Sequence, residues 1–298
     1  MTLLRRSLHF VPGGNERMLA KSLDTDADCL ILDLEDAVTP ARKAEVRSVV
    51  SGWLAEVDFG TKETAVRMNP LDTPWGYADL EETMANPPDV YLVPKPETLD
   101  GVNLIDGELR RLEREYGHAD GKVGLVPIAG ETPLGALKIP TLARCPRLAA
   151  MTWGAEDLAT ALGASHNRDE DNDYLPPYQQ VRVTTLLTAV AADVQPIDTV
   201  YANFRDSEGF LRDCADGAAM GFTGKMSIHP DQIDPINAAF APSAEQIAEA
   251  RALTEAFEAA QAEGRMAFSF NGAMVDAPHL NRARAVLERA RQSEESKT

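Results

Sequence analysis

Eight short apolar runs recur along this chain at nearly even intervals, and they constrain its fold more than any other feature. They are LHFVP (8–12), CLILDLED (29–36), TAVRMN (64–69), VYLVPK (90–95), VGLVPIAG (123–130), LAAMTWG (148–154), IDTVYANF (197–204) and GFTGKMSIHP (221–230). Their hydrophobicity is nearly continuous rather than alternating, as in parallel strands covered on both faces. Apolar positions three and four apart predict helices over 15–23, 40–56, 98–115, 133–143, 176–192, 206–219 and 243–263. A strand–helix alternation repeated eight times is the pattern of an α/β protein of the (β/α)8 TIM-barrel type. The competing architecture, an open doubly wound sheet, is disfavoured because no G-x-G-x-x-G or phosphate loop opens the first helix.

Two segments depart from the repeat. Residues 164–175, ASHNRDEDNDYL, are polar and charge-rich and predict a long surface loop after strand six. Beyond about residue 240 the alternation stops, leaving a long helix, the short segment FSFNGAMV (268–275) and a last helix near 278–292. The chain thus divides into a barrel domain, 1–240, and a C-terminal helical lid or arm, 241–298, whose final SEESKT is expected to be disordered.

Charge excludes several classes of partner. A net charge of −18 repels nucleic-acid phosphates and anionic lipid, so neither nucleic acid nor membrane is expected. No uncharged apolar stretch reaches the roughly 18 residues of a membrane helix, and the opening MTLLRRSLHFVPGG is too interrupted for a signal peptide. Cys29, Cys145 and Cys214 form no C-x-x-C pair and read as reduced, buried thiols. The expectation is a cytoplasmic protein.

In a barrel of this type the chemistry gathers where strands end. Here the strand ends carry Asp33, Glu35 and Asp36, then Arg67 and Asn69, Lys95, Glu131, Glu156 and Asp157, a seventh end near Asn203, and His229. Glu131 and Asp157 come from adjacent strands. Two carboxylates that approach each other need a cation or a proton between them, and a carboxylate pair with open positions suits Mg2+. The alternative is a pair of solvated carboxylates favoured at helix starts. Arg67 can grip a substrate carboxylate with its planar guanidinium, or form a structural salt bridge with Glu35 or Asp36. Arg5, Arg6, Arg17 and Lys21 cluster near the N-terminus of a very acidic chain, with Arg17 and Lys21 four apart on one helix face. A polyphosphate would be drawn there; a solvated face is the other reading. His229 reads as a helix cap, and Trp53, Trp75 and Trp153 as packing.

Several blocks together carry a resemblance: RSLHFVPG (6–13), ILDLEDAV (31–38), VRMNP (66–70), VPKPE (93–97), GETPLGAL (130–137), WGAEDLATALGA (153–164), VYANFRDSEG (200–209), GFTGKMSIHPDQI (221–233) and FNGAMVDAPHL (270–280). In these, in order and over almost its whole length, the chain resembles the β subunit of citrate lyase and the HpcH/HpaI-type CoA-ester lyases. The segments VYANFRDSEGFLRDCADGAAMGFTGK (200–225) and FNGAMVDAPHL (270–280) look especially like the citramalyl-CoA lyase-like branch. The resemblance implies Mg2+, with Mn2+ as its substitute, held by Glu131 and Asp157, and a CoA thioester as substrate. It implies that Arg67 binds the oxo- or hydroxyacid part, that Phe10, Arg17 and Lys21 lie near the thioester, and that Asn203 lines the pocket. Many relatives have tyrosine at the position of Phe10, so a hydroxyl hydrogen bond is missing here. Asp276, in a G-x-M-[IV]-D motif that reads Gly272-Ala273-Met274 here, is implied as the acid/base, delivered by the arm to a neighbouring subunit of a homo-oligomer, a trimer or hexamer.

The activity so implied is cleavage or condensation of malyl-, methylmalyl-, citramalyl- or citryl-CoA, giving acetyl- or propionyl-CoA and a 2-oxoacid. Glu35 and Asp36 are expected to act behind the metal ligands, orienting metal-bound water or Arg67. Three alternatives stand beside it: a malyl-CoA thioesterase on the same scaffold, a metal-dependent aldolase of non-CoA oxoacids, and a non-catalytic subunit of a citrate lyase complex.

Overall fold

In the computed structural model, which describes residues 4–295, the eight apolar runs form one closed barrel in sequential order, every neighbouring pair parallel. The strands are β1 (Ser7–Pro12), β2 (Cys29–Asp33), β3 (Glu63–Arg67), β4 (Val90–Val93), β5 (Gly124–Ala129), β6 (Ala150–Trp153), β7 (Gln195–Asp198) and β8 (Gly224–Ser227). The (β/α)8 expectation holds. Leu8, Ile31, Ala65, Leu92, Ile128 and Met226 belong to a buried cluster contributed by successive strands, so the barrel is a packed core and not a channel.

Helices α1 (Glu16–Leu23), α2 (Lys43–Glu56), α4 (Leu99–Tyr116), α5 (Pro133–Lys138), α7 (Pro176–Ala191) and α8 (Ser207–Met220) lie where periodicity predicted them. Two more, α3 (Gly76–Thr83) and α6 (Ala155–Leu162), lie outside the predicted helices. Helix α9 (Ile233–Phe240) follows β8. The predicted strands also overran their true ends. β7 stops at Asp198, whose Oδ1 accepts the Thr199 amide at 3.0 Å and turns the chain out of the ladder. β2 stops at Asp33, whose carboxylate accepts the amides of Glu35 and Ala37.

The N-terminal arginines fall into two groups. Arg5 clamps Glu63 through Nε and Nη2 at 2.7 and 2.6 Å, and Arg6 clamps Asp28. Both are buried ahead of the first residues of β1, at the end of the barrel opposite the strand termini. They are fasteners and do not join Arg17 and Lys21 in a ligand cluster.

A second buried network lies outside the barrel. Lys225 Nζ meets Asp213 at 2.5 Å and Asp198 at 3.5 Å; Asp198 also takes Arg182 at 2.6 Å and the Trp153 indole N–H at 2.8 Å. Arg168, from the polar 164–175 segment, reaches Asp213 at 2.6 Å and stacks on Tyr174, which ties that loop down. Asp198→Ala takes the carboxylate partner from Arg182 and leaves Lys225 with Asp213, and we expect a loss of about 3–5 kcal/mol in urea unfolding.

Buried groups also set a pH response. His9 is 1% exposed, with Nδ1 2.8 Å from Ser227 Oγ. Burial, with His229 nearby, lowers its pKa to about 4. The folded pKa lies below the unfolded value, so the folded state keeps His9 neutral. Its contribution is complete above about pH 6.5 and is lost as pH falls towards 4, by up to roughly 3 kcal/mol. In His9→Gln the unfolding free energy should vary less between pH 7 and 4.5; an unchanged slope would assign the response to other groups.

The chain divides into two compact units, Arg5–Asn237 with the barrel and a second unit from Ala238 onward. In the second, α10 (Ala244–Ala262) begins at a Ser243–Gln246 capping box and packs on α11 (Ala277–Glu295). Between them β9 (Phe268–Phe270) and β10 (Ala273–Val275) form a hairpin. Its turn, Asn271-Gly272, has φ of 50° and 82°, the conformation two-residue hairpins demand. Of the expected disordered tail, residues 293–295 continue α11, and 296–298 lie outside the described residues.

Candidate active site

The C-terminal ends of the strands surround a cavity of about 430 Å³. Its walls include Phe10 and Pro12 from β1, Met18 from α1, Asp33 and Asp36, Arg67, Glu131, Asp157, and Thr199 and Val200 after β7.

Strand register places the first charged pair. Asp33 and Arg67 are Cα partners at the ends of β2 and β3. The Asp33 carboxylate takes Arg67 Nε at 2.7 Å and Nη2 at 2.6 Å while capping its own loop. Arg67 Nη1 then sits 3.0 Å from Glu35 and 3.6 Å from Asp36, with the guanidinium 4.8 Å from the Phe10 ring. Burial opposes the charge on Arg67, but Asp33, Glu35 and Asp36 hold its pKa above the ordinary value. Asp33, not Glu35 or Asp36 as the sequence suggested, is the principal partner. Gly13 is required beside it: a Cβ there would lie 2.5 Å from the Asp33 carbonyl oxygen.

The loop that carries Glu35 and Asp36 is held from below. Lys43 Nζ donates to the carbonyls of Leu34 and Glu35 and to Asn69 Oδ1, at 2.7–2.8 Å. Asn69 is fixed in turn by Asp79, and Asp79 by Arg47. Removing one buried member of such a chain unpairs the next.

Glu131 follows β5 and is 3% exposed. Its Oε2 accepts the Lys95 amide at 2.5 Å. Burial drives the Glu131 pKa well above the carboxylate range; that amide opposes the shift, and Asp157 and Glu35 add to it. Gly154 makes room, since a Cβ there would stand 2.5 Å from Glu131 Cγ. Asp157 belongs to the first turn of α6, not to strand six. Its neighbour Glu156 accepts a hydrogen bond from Asn167 at 2.8 Å and anchors the polar loop.

Lys95 joins these groups. Its Nζ lies 2.5 Å from Glu35 Oε1, 3.5 Å from Asp157 Oδ1 and 3.9 Å from Asp36 Oδ2. Burial works against its charge, but Glu35, Asp157 and Glu131 raise its pKa. Lys95 and Asp33 stand at predicted strand ends, and neither carries a predicted role there. Their signal was present, as charged residues closing apolar runs, but their partners are set by register.

The remaining candidates lie elsewhere. Arg17 and Lys21 are exposed on α1, with no carboxylate paired to either among the described residues. Asn203 is exposed in the loop that follows β7, outside the cavity wall, because the strand ends five residues earlier at Asp198. Asp276 belongs to the second unit, where its Oδ1 is 2.6 Å from His279 Nδ1 and its side chain is 44% exposed. His229 caps the short turn that follows β8, as expected. No helix among the described residues is long and apolar enough to cross a membrane.

A cavity at the C-terminal rim of a (β/α)8 barrel, lined by apolar surface with a few converging charged groups, marks an enzyme. The family model described as HpcH/HpaI aldolase/citrate lyase matches residues 6–230. The chain is 38% identical to the citrate lyase subunit beta of Escherichia coli (strain K12), covering 97% of its own length and 94% of that protein. It is 34% identical to the (3S)-malyl-CoA thioesterase of Cereibacter sphaeroides (strain ATCC 17029 / ATH 2.4.9), over 96% and 94%. The crystal structure of CitE from Mycobacterium tuberculosis in complex with magnesium, acetoacetate and coenzyme A matches with a TM-score of 0.79 at 32% identity, over 97% and 99%. The chain belongs to the HpcH/HpaI aldolase/citrate lyase family, and it is by that membership an enzyme of the carbon–carbon lyase class.

Proposed function

We propose that this protein is a Mg2+-dependent lyase of a short 3-hydroxyacyl-CoA bearing a second carboxylate: malyl-, methylmalyl-, citramalyl- or citryl-CoA. The observation that carries the reading is the presence of Glu131 and Asp157 in one cavity wall with Arg67. The donor set fits a hard divalent cation. Among the described residues, Asp33, Glu35, Asp36, Glu131 and Asp157 are touched by only Arg67 and Lys95 as cations, and Glu35 Oε2 is buried without an aligned hydrogen bond. Among the described residues no group of three or more His, Cys, Asp or Glu side chains encloses a metal. A cation held by Glu131 and Asp157 therefore keeps positions for water and substrate oxygens, which suits Mg2+, or Mn2+ in its place, better than zinc.

Glu131 and Asp157 would hold Mg2+, which would supply Lewis acidity to the reacting oxygen. The protein's own groups do the rest. Asp33 takes two N–H bonds of Arg67 and fixes its plane; the N–H groups that face neither Asp33 nor Glu35 are those that meet the carboxylate that becomes the 2-oxoacid. Transfer of the hydroxyl proton to water lets the bond between the α- and β-carbons break: the alkoxide becomes the ketone of the 2-oxoacid, and the electron pair of the broken bond passes to the thioester as an enolate. Asp276, from the arm of a neighbouring subunit in a trimer or hexamer, protonates the α-carbon, releasing acetyl- or propionyl-CoA. Phe10 packs against Arg67 beside the thioester, and Arg17 and Lys21 attract the CoA phosphates at the exposed face of α1; Asn203, exposed outside the cavity wall, takes no part in the site.

The thioesterase relative keeps one other reading open, in which water attacks the thioester on the same site. An assay with Mg2+ and the four CoA esters, following 2-oxoacid and free thiol separately, decides between them. Oxoacid without thiol supports the lyase; thiol without oxoacid identifies a thioesterase. Silence on all four overturns both and leaves the non-CoA aldolase or the complex subunit.

A further inference from the structure

We infer that Lys95 is the resident cation of this site, a positioning residue whose ammonium balances the acidic wall and so limits how tightly a divalent cation is held there. The inference rests on the metal reading of Glu131 and Asp157 given above.

Three observations support it. First, one residue reaches both carboxylates assigned to the metal, by different atoms: its amide donates to Glu131 Oε2 at 2.5 Å, and its Nζ lies 3.5 Å from Asp157 Oδ1. Second, that double reach depends on a left-handed backbone, φ 50°, at a residue other than glycine, a conformation that persists only where the surroundings enforce it. Third, the ammonium is bonded to Glu35 at 2.5 Å and has Asp36 at 3.9 Å, so it stands where the negative charge is densest.

A divalent cation on Glu131 and Asp157 draws on the same oxygens and stands close to a like charge. Like charges a few ångströms apart repel strongly where water is partly excluded. Lys95 is not itself part of the cavity wall; it acts on the wall through Asp36, Glu131 and Asp157. The ammonium keeps the carboxylates assembled before a metal arrives, and metal binding is weaker in proportion.

The test is direct titration of the full-length protein with Mn2+, free ion being followed by electron paramagnetic resonance. We expect Lys95→Met and Lys95→Gln to bind Mn2+ at least about tenfold more tightly than wild type, and Lys95→Arg, which keeps the charge, to stay within about threefold. Equal or weaker binding in a neutral variant with a wild-type circular dichroism spectrum overturns the inference. Lys95→Gln retains a hydrogen-bond donor towards Glu35, so the test survives if the methionine variant fails to fold. Glu131→Gln separates the two readings. If it abolishes Mn2+ binding while neutralising Lys95 changes nothing, the metal site stands and the role of Lys95 falls. If no variant binds Mn2+, both fall.

Discussion

Glutamine in place of Glu131 is expected to lower kcat/KM by roughly a thousandfold. Lewis-acid stabilisation is worth several kcal/mol, and each ~1.4 kcal/mol is a factor of ten. The substitution keeps the shape of the side chain and an oxygen for the Lys95 amide, which is 2.5 Å away in the wild type. It removes a charge that burial opposes, so the melting temperature should hold or rise while activity collapses. This separation of stability from turnover is the diagnostic. Substantial cleavage by Glu131→Gln in EDTA would remove the metal from the reaction, and a variant that simply melts earlier would give the carboxylate a structural task instead.

The second large effect is expected at Asp276. Positioned proton transfer contributes about 10²–10⁴-fold, so Asp276→Asn should lose that much in kcat with KM for the CoA ester little changed. Its half-exposed side chain, paired only with His279 among the described residues, makes a stability cost small. If the arm serves a neighbouring subunit, mixing Asp276→Asn with Glu131→Gln after dissociation and reassembly should restore part of the activity. Each mixed assembly then contains sites with both an intact barrel and an intact arm. Recovery on mixing supports delivery between subunits. No recovery places Asp276 in its own subunit's chemistry, and wild-type turnover in Asp276→Asn removes it from the mechanism.

How far these groups could be read in advance varied with how local their signal is. Glu131 and Asp157 were legible because each charge follows a solid apolar run, Glu131 after β5 and Asp157 in the first turn of the helix after β6, where a strand buried on both faces gives way to a polar rim. Arg67 was legible for the same reason. Its true partner was not: Asp33 faces it because β2 and β3 pair Asp33 with Arg67, and a shift of one residue would have turned one of the two away. Asn203 was placed on a strand that ends at Asp198, because a side-chain bond to the next amide stops the ladder where hydropathy does not. Arg5 and Arg6 looked like neighbours of Arg17 and Lys21, since proximity in sequence hides that a strand separates them; Glu63 and Asp28 claim both.

The alternation of apolar runs and helical periods, read with no other information, determined the barrel, its eight strands and their order. Burial imposes those patterns residue by residue, and neighbouring residues suffice to reveal them. Barrel closure decided what periodicity cannot: that Asp33, Arg67, Lys95, Glu131 and Asp157, spread over more than a hundred positions, come to share one small volume. Electrostatic coupling depends on separation in space, within a few ångströms, and the register and the loop that set those separations exist only once the chain has closed.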